Sequence, residues 1–273
     1  MRTPFTGVGT ALVTPFTKSG ELDETAVRRL ARRQIDAGIH FLCPCGTTGE
    51  NPTLTDAERL RVVEIVVDEA NGKTPVLAGA GGYDTRDVIH IAREMARRGA
   101  SGFLSVTPYY NKPTQEGIYQ HYRAFAQSTP LPIVVYNVPG RTGVNVEVVT
   151  LMRLAQVPNI VSGDDALTLP LMAVGGRGIV SVASNEIPAE MVQMVEIAER
   201  NDFAAARAVH SRILPLMAAN FIESNPGPVK AAMAAMGLID EVFRLPMVSP
   251  KAESKDKILH VLKELGLLKA AFV

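Results

Sequence analysis

Seven short apolar runs, each separated from the next by an amphipathic or polar stretch, constrain this chain more than any other feature. They read "GVGTALVTPF", "HFLCPCG", "TPVLAGAGG", "GFLSVTPYY", "PIVVYNVPG", "NIVSG" and "GIVSVASN", and begin near residues 7, 40, 74, 102, 132, 159 and 178. Their length and β-rich composition predict strands. Between them the period becomes helical. Val27, Leu30, Ala31 and Ile35 fall on one helix face, and "TDAE" at Thr55 to Glu58 has capping-box spacing ahead of an apolar run. Repeated βα units predict a parallel sheet. "GVGTALVTPF" leads into a loop and lacks the Gly-rich fingerprint of a doubly wound dinucleotide fold, so the expected fold is α/β, a TIM (β/α)8-type barrel.

A closed barrel has eight strands, one more than these runs supply. The shortfall lies in "VPNIVSGDDALTLP", Val157 to Pro170, which starts like a buried strand and ends like a strand leaving into a helix. From Ile187 onward the pattern is helical, with Pro breaks between segments. The expected division is a barrel over residues 1–202 and a C-terminal helical extension over 203–273 packed on it. No Ser/Gly linker, low-complexity segment or fixed-period repeat marks a second independent domain.

Lys plus Arg and Asp plus Glu balance at 28 each, so no basic field is available for nucleic acid or anionic lipid. A small-molecule partner is expected. No apolar run approaches the roughly 18 residues of a membrane span, and "MRTPFTGVGT" has no signal-peptide core, which makes a cytoplasmic setting the expectation. Cys43 and Cys45 lie two apart on a predicted strand, hence on one face, and read as buried reduced thiols. The five histidines are scattered without ligand spacing, so neither a bound metal nor a cofactor is expected.

Barrel chemistry is built at the C-terminal ends of the strands. Those ends are polar here: "CGTTGEN", "TPYYN", "YNVPGRTG" and "SGDDA". Gly46 to Glu50 supply two hydroxyls and free N–H groups in a tight turn, suited to a carboxylate or phosphate but also ordinary turn composition. Tyr136 adds a phenol for proton transfer, and Arg141 a guanidinium that can clamp a carboxylate.

"GTTGE", "TPYYNKPTQEG", "YNVPGRTG", "SGDDALTLP" and "NPGPVKAAM", in this order, resemble the dihydrodipicolinate synthase family of pyruvate-dependent lyases, to which N-acetylneuraminate lyase is related. The resemblance implies condensation of pyruvate with L-aspartate-4-semialdehyde through a lysine Schiff base, toward lysine and diaminopimelate. It implies Tyr136 as general acid/base, with Thr47 and Tyr110 completing a proton relay. It further implies Thr48 and Gly46 at the pyruvate, Arg141 at the semialdehyde carboxylate, and a homotetramer, a dimer of dimers, in which Tyr110 serves a neighbouring subunit. Lysine-sensitive members line an allosteric cleft with histidines and a glutamate. Asp56, Arg59 and Asp87 stand at what look like those places, with Tyr109 retained, so weak lysine feedback is expected.

The same resemblance sharpens the strand count. The family carries its nucleophilic lysine in a sixth strand resembling "NIVGIKEAT", whereas here "NIV" runs straight into "SGDDA". Roughly 20 to 30 residues, a strand end, the lysine and a helix, are expected between Val161 and Ser162. None of the nine lysines falls in a predicted strand, and Lys112, nearest to the site, sits in a polar loop. The alternatives are a sister aldolase for sugar acids and a catalytically silent form. Arg141 favours the synthase over the sugar-acid reading.

Overall fold

The computed structural model describes residues 5–154 and 160–268. Its elements alternate: β1 (Gly7–Ala11), α1 (Glu24–Asp36), β2 (Phe41–Cys43), α2 (Asp56–Ala70), β3 (Leu77–Gly79), α3 (Thr85–Arg97), β4 (Gly102–Val106), α4 (Gln115–Gln127) and β5 (Ile133–Tyr136). The short helices α5 (Pro139–Thr142), α6 (Val148–Leu154) and α7 (Thr168–Ala173) follow, then β6 (Gly178–Ser181). Helices α8 (Pro188–Glu199), α9 (Phe203–Ala219), α10 (Gly227–Ala235) and α11 (Ala252–Glu264) complete the chain.

Helix starts follow local chemistry. Asp23, Asp84, Thr114 and Asp202 each accept a bond from a first-turn N–H of α1, α3, α4 and α9. Thr55 and Glu58 form the expected capping box of α2. The breaks are less regular than expected, since Pro215 lies inside α9.

All strand pairing is parallel. One sheet has the order β2-β1-β6 and the other β3-β4-β5. A single bridge, Leu42 to Val76, links them, and another, Ser162 to Ile179, adds a last segment beside β6. The resulting arc runs from residue 162 through β6, β1, β2, β3 and β4 to β5. Seven predicted runs thus become six described strands and one bridge. Val157 to Asn159, around the start of the sixth run, lie outside the described residues.

Strand alternation divides the core. Val8, Leu42, Ala78, Phe103 and Ile179 pack outward into a cluster with helix residues such as Val27, Val63, Ile91 and Phe125. Phe41, Cys43, Leu77 and Leu104 meet on the other face with Val134, Tyr136 and Val180. The C-terminal helices join through α10, whose Val229 and Met233 pack with Val13, Leu30 and Val182.

The two cysteines do not share a face. β2 ends at Cys43, and Cys45 stands in the following turn with a left-handed φ of 59°, which breaks the alternation. Both are free buried thiols, Cys45 in the outer cluster and Cys43 in the inner one. Burial pushes Cys45 up to about 12 and raises Cys43 further.

Candidate active site

A cleft of about 240 Å³ opens at the C-terminal ends of β2 to β5, lined by Gly46, Thr47, Leu104, Tyr109, Tyr136 and Arg141 among others. Four of the sequence candidates are thereby brought together. The "GTTGE" turn is closed by Gly49 N–H donating to the Gly46 carbonyl and Glu50 N–H to that of Thr47, both at 3.1 Å. Gly79 lets β3 approach this turn: a Cβ there would stand 2.0 Å from the Cys45 carbonyl oxygen.

The Thr47 hydroxyl and the Tyr136 phenol line the same cleft, and the hydroxyl favours the ionised form of the phenol. Burial raises the Tyr136 phenol above its ordinary value, while the positive charge of Arg141 and the Thr47 hydroxyl pull it down. A phenol held between these effects, beside a hydroxyl, is equipped to exchange a proton with a bound substrate.

The remaining candidates lie elsewhere. Thr48 is buried behind the turn, and its Oγ1 accepts a bond from Asn225 Nδ2 at 2.9 Å. Arg141 Nη2 donates to the Asn225 carbonyl at 3.4 Å, so one residue holds both Thr48 and Arg141. Tyr110 points to solvent, 90% exposed, with a left-handed φ of 67°. Its neighbour Tyr109 lies edge to face with Tyr83, ring centroids 5.4 Å apart. Arg59 pairs with Asp56 at 3.5 Å. In "SGDDA", Asp164 caps a 3-10 turn, and buried Asp165 accepts bonds from Ser181 Oγ at 2.6 Å and from the Val182 and Ala183 N–H groups. Burial raises the Asp165 carboxyl while those bonds oppose the rise.

Sequence reasoning missed the support beneath the turn. Lys230 of α10 is fully buried, donating to Glu50 Oε1 at 2.5 Å and to the Thr14 carbonyl at 3.1 Å. It lies over the Phe16 and Phe243 rings. Burial lowers its pKa, and Glu50 works in the opposite direction. The pair fixes Glu50 in a left-handed conformation, φ 52°, at the end of "GTTGE". "NPGPVKAAM" contains Asn225 and Lys230, but its spacing alone indicated no partner for either.

Among the described residues no lysine lines the cleft. Lys112 is exposed beside Gly143, and Lys269 lies outside the described residues. Among the described residues no three His, Cys, Asp or Glu side chains converge as metal ligands, and no helix is long and apolar enough to cross a membrane.

The profile of the Dihydrodipicolinate synthetase family matches residues 4–162 and 160–265. Relatives named 4-hydroxy-tetrahydrodipicolinate synthase are 49% identical in Koribacter versatilis, covering 98% of each chain, and 46% identical in Chloroherpeton thalassium, covering 99% of this chain and 98% of the relative. The first comparison extends over 294 aligned residues, more than the 273 of this chain, so at least 21 of the relative's positions stand opposite no residue here. A dihydrodipicolinate synthase of Aquifex aeolicus superposes with TM-score 0.95 at 38% identity, over 98% of this chain and 100% of that one. One from Acinetobacter baumannii, complexed with pyruvate, gives TM-score 0.94 at 36% identity over 96% and 99%.

Proposed function

Because the chain belongs to the dihydrodipicolinate synthetase family, we propose that its site is built to condense pyruvate with L-aspartate-4-semialdehyde through a lysine imine. The observation that carries this reading is the cleft itself, where Tyr136 and Thr47 face the same space as Arg141. Adding an aldehyde to pyruvate needs a carbanion equivalent, which an amine supplies by forming an iminium that acidifies the methyl group. Tyr136 moves protons in those steps, with Thr47 as relay. Gly46 N–H holds the pyruvate carboxylate, and Thr48, whose hydroxyl accepts from Asn225 outside the cleft lining, fixes the turn that presents it. Arg141 clamps the carboxylate of the semialdehyde, a contact for which a sugar-acid aldolase has less use.

The amine belongs to one further βα unit between Val161 and Ser162, which would complete an eight-stranded barrel over residues 1–202 against the helical extension of 203–273. Three findings support that unit: the family match breaks into two blocks at 160–162, the alignment is longer than the chain, and the arc ends at residue 162 on one side and β5 on the other. The reading carries with it a cytoplasmic homotetramer, a dimer of dimers, in which exposed Tyr110 reaches a neighbouring subunit's relay.

Incubation with pyruvate and borohydride tests the assignment by intact mass. A chain joining Val161 directly to Ser162 stays unmodified. A chain with the unit restored takes one reduced pyruvate, on a lysine between those residues. A stoichiometric adduct on Lys112 or Lys230 would overturn it. In the restored form, Arg141→Ala weakens use of the semialdehyde by about 1.5–3 kcal/mol and leaves pyruvate trapping intact.

A further inference from the structure

Among the described residues, both ends of the strand arc carry an unused hydrogen-bonding edge. On β5, the Pro132 and Tyr136 carbonyls accept from Phe103 and Thr107, each at 3.0 Å. Parallel pairing alternates, so Ile133 and Val135 turn their N–H and C=O groups away from β4. At the other end, Arg177 N–H donates to the Ile160 carbonyl, Ser162 N–H to that of Gly178, and Val180 N–H to that of Ser162, all at 2.8–2.9 Å. Val161 therefore turns its own groups away from β6.

The two edges face one space. A Cβ on Gly163, just past the second edge, would stand 3.7 Å from the Tyr136 ring at the end of the first. The helices on either flank are unfinished in the same way. Val148, Val149 and Met152 of α6 are 72%, 67% and 74% exposed, and Val174, which caps α7, is 81% exposed. The alignment with the Aquifex aeolicus synthase nevertheless spans 100% of that chain at TM-score 0.95. The neighbours hold their positions around a slot that calls for one parallel strand below one apolar-faced helix.

We infer that this slot binds a separate βα peptide in trans, and that the bound peptide delivers a strand-end lysine to the Tyr136 cleft. Binding rests on the edges and the exposed apolar faces alone; the chemistry that follows rests on the lyase reading. In that chemistry the peptide amine attacks C2 of pyruvate, a C–N bond forms, and the carbonyl oxygen leaves as water. Borohydride then adds hydride to the imine carbon, leaving a secondary amine on the peptide.

The probe is a fluorescent synthetic peptide of about 25 residues, copied from the segment that the Koribacter versatilis relative carries between the positions matching Val161 and Ser162. Anisotropy should show saturable one-to-one binding to the intact chain. Val135→Pro removes one free-edge N–H while sparing the bonds to β4, and should weaken binding about five- to tenfold. A peptide N-methylated at alternate strand residues should lose affinity similarly, which covers the case in which Val135→Pro misfolds. Pyruvate and borohydride should label the peptide lysine and leave the chain unlabelled. Binding without labelling upholds the slot and overturns the lyase reading. Absence of saturable binding up to about 1 mM overturns the inference. So does binding indifferent to N-methylation.

Discussion

β4 and β5 are neighbours of nearly equal apolarity, yet they live in different environments. In "GFLSV" four of five residues are buried, whereas all four of "IVVY" are only half-buried. The difference is pairing: among the described residues β4 has a strand on each side, and β5 has only β4. Side-chain character made both segments strands, but the second neighbour is what removes a strand from water. The same contrast separates the arc from β6 to β4, whose strand residues are mostly buried, from the seam between β5 and Ile160. The seam is where the proposed function puts the reaction's amine.

Truncating one side chain on each side of the contrast should produce its largest numerical effect. Phe103→Ala, in the fully buried outer layer of β4, removes a ring packed on Phe125 and should destabilise the chain by about 3–5 kcal/mol in urea unfolding. Met152→Ala, at the seam and 74% exposed, should stay within about 0.5 kcal/mol. Equal losses at the two sites would show that the seam is covered in solution.

The buried pair beneath the active-site turn is comparable in size for a different reason. Lys230→Met leaves the Glu50 carboxylate without its ammonium partner, with both side chains fully buried. A cost of about 3–5 kcal/mol is expected, recovered in part by the double change with Glu50→Gln. A loss under about 1 kcal/mol would mean that water enters this pair as it enters the seam.

Local rules made the closed region legible. The βα alternation, the face of α1 and the Thr55–Glu58 box depend on residues a few positions apart, and the sequence displays them. The cleft's polar residues were visible because they close strand runs. Lys230 was not, because a lysine in a helical stretch reads as solvated until a distant glutamate is brought to it. Asn225 needed the fold to meet Thr48 and Arg141. Cys45 was misread because its left-handed backbone interrupts a pattern that looks like strand. The seam appeared in the sequence only as strand arithmetic, one short of a closed barrel.

Acid should test the closed side with a smaller effect. Two hydrogen bonds from Arg244, at 2.6 and 2.9 Å, hold the Glu58 carboxyl down to about 2, against 4.5 for an ordinary glutamate. A carboxyl lowered in the folded state stabilises it above the ordinary value, and that contribution is lost as pH falls from about 4.5 to about 2. Solvent reaches the pair, so roughly 1 kcal/mol is expected. Arg244→Met should abolish this part of the acid sensitivity; an unchanged profile would remove Glu58 from the account.

The smallest effect belongs to the seam's own ion pair, and it completes the contrast with Lys230. Arg153 at the end of α6 meets Glu116 of α4 at 2.9 Å and lies 3.8 Å above the Tyr119 ring. Its geometry is as good as that of the buried pair, but the two side chains are 43% and 58% exposed. Water already solvates both charges, so removing one strands nothing. Arg153→Ala should leave the urea midpoint nearly unchanged at about 0.15 M salt, and raising the salt to about 1 M, where the screening length falls to about 3 Å, should erase any residual difference. A large, salt-insensitive loss would mean that α6 is packed against another surface in solution, and that the seam is already filled.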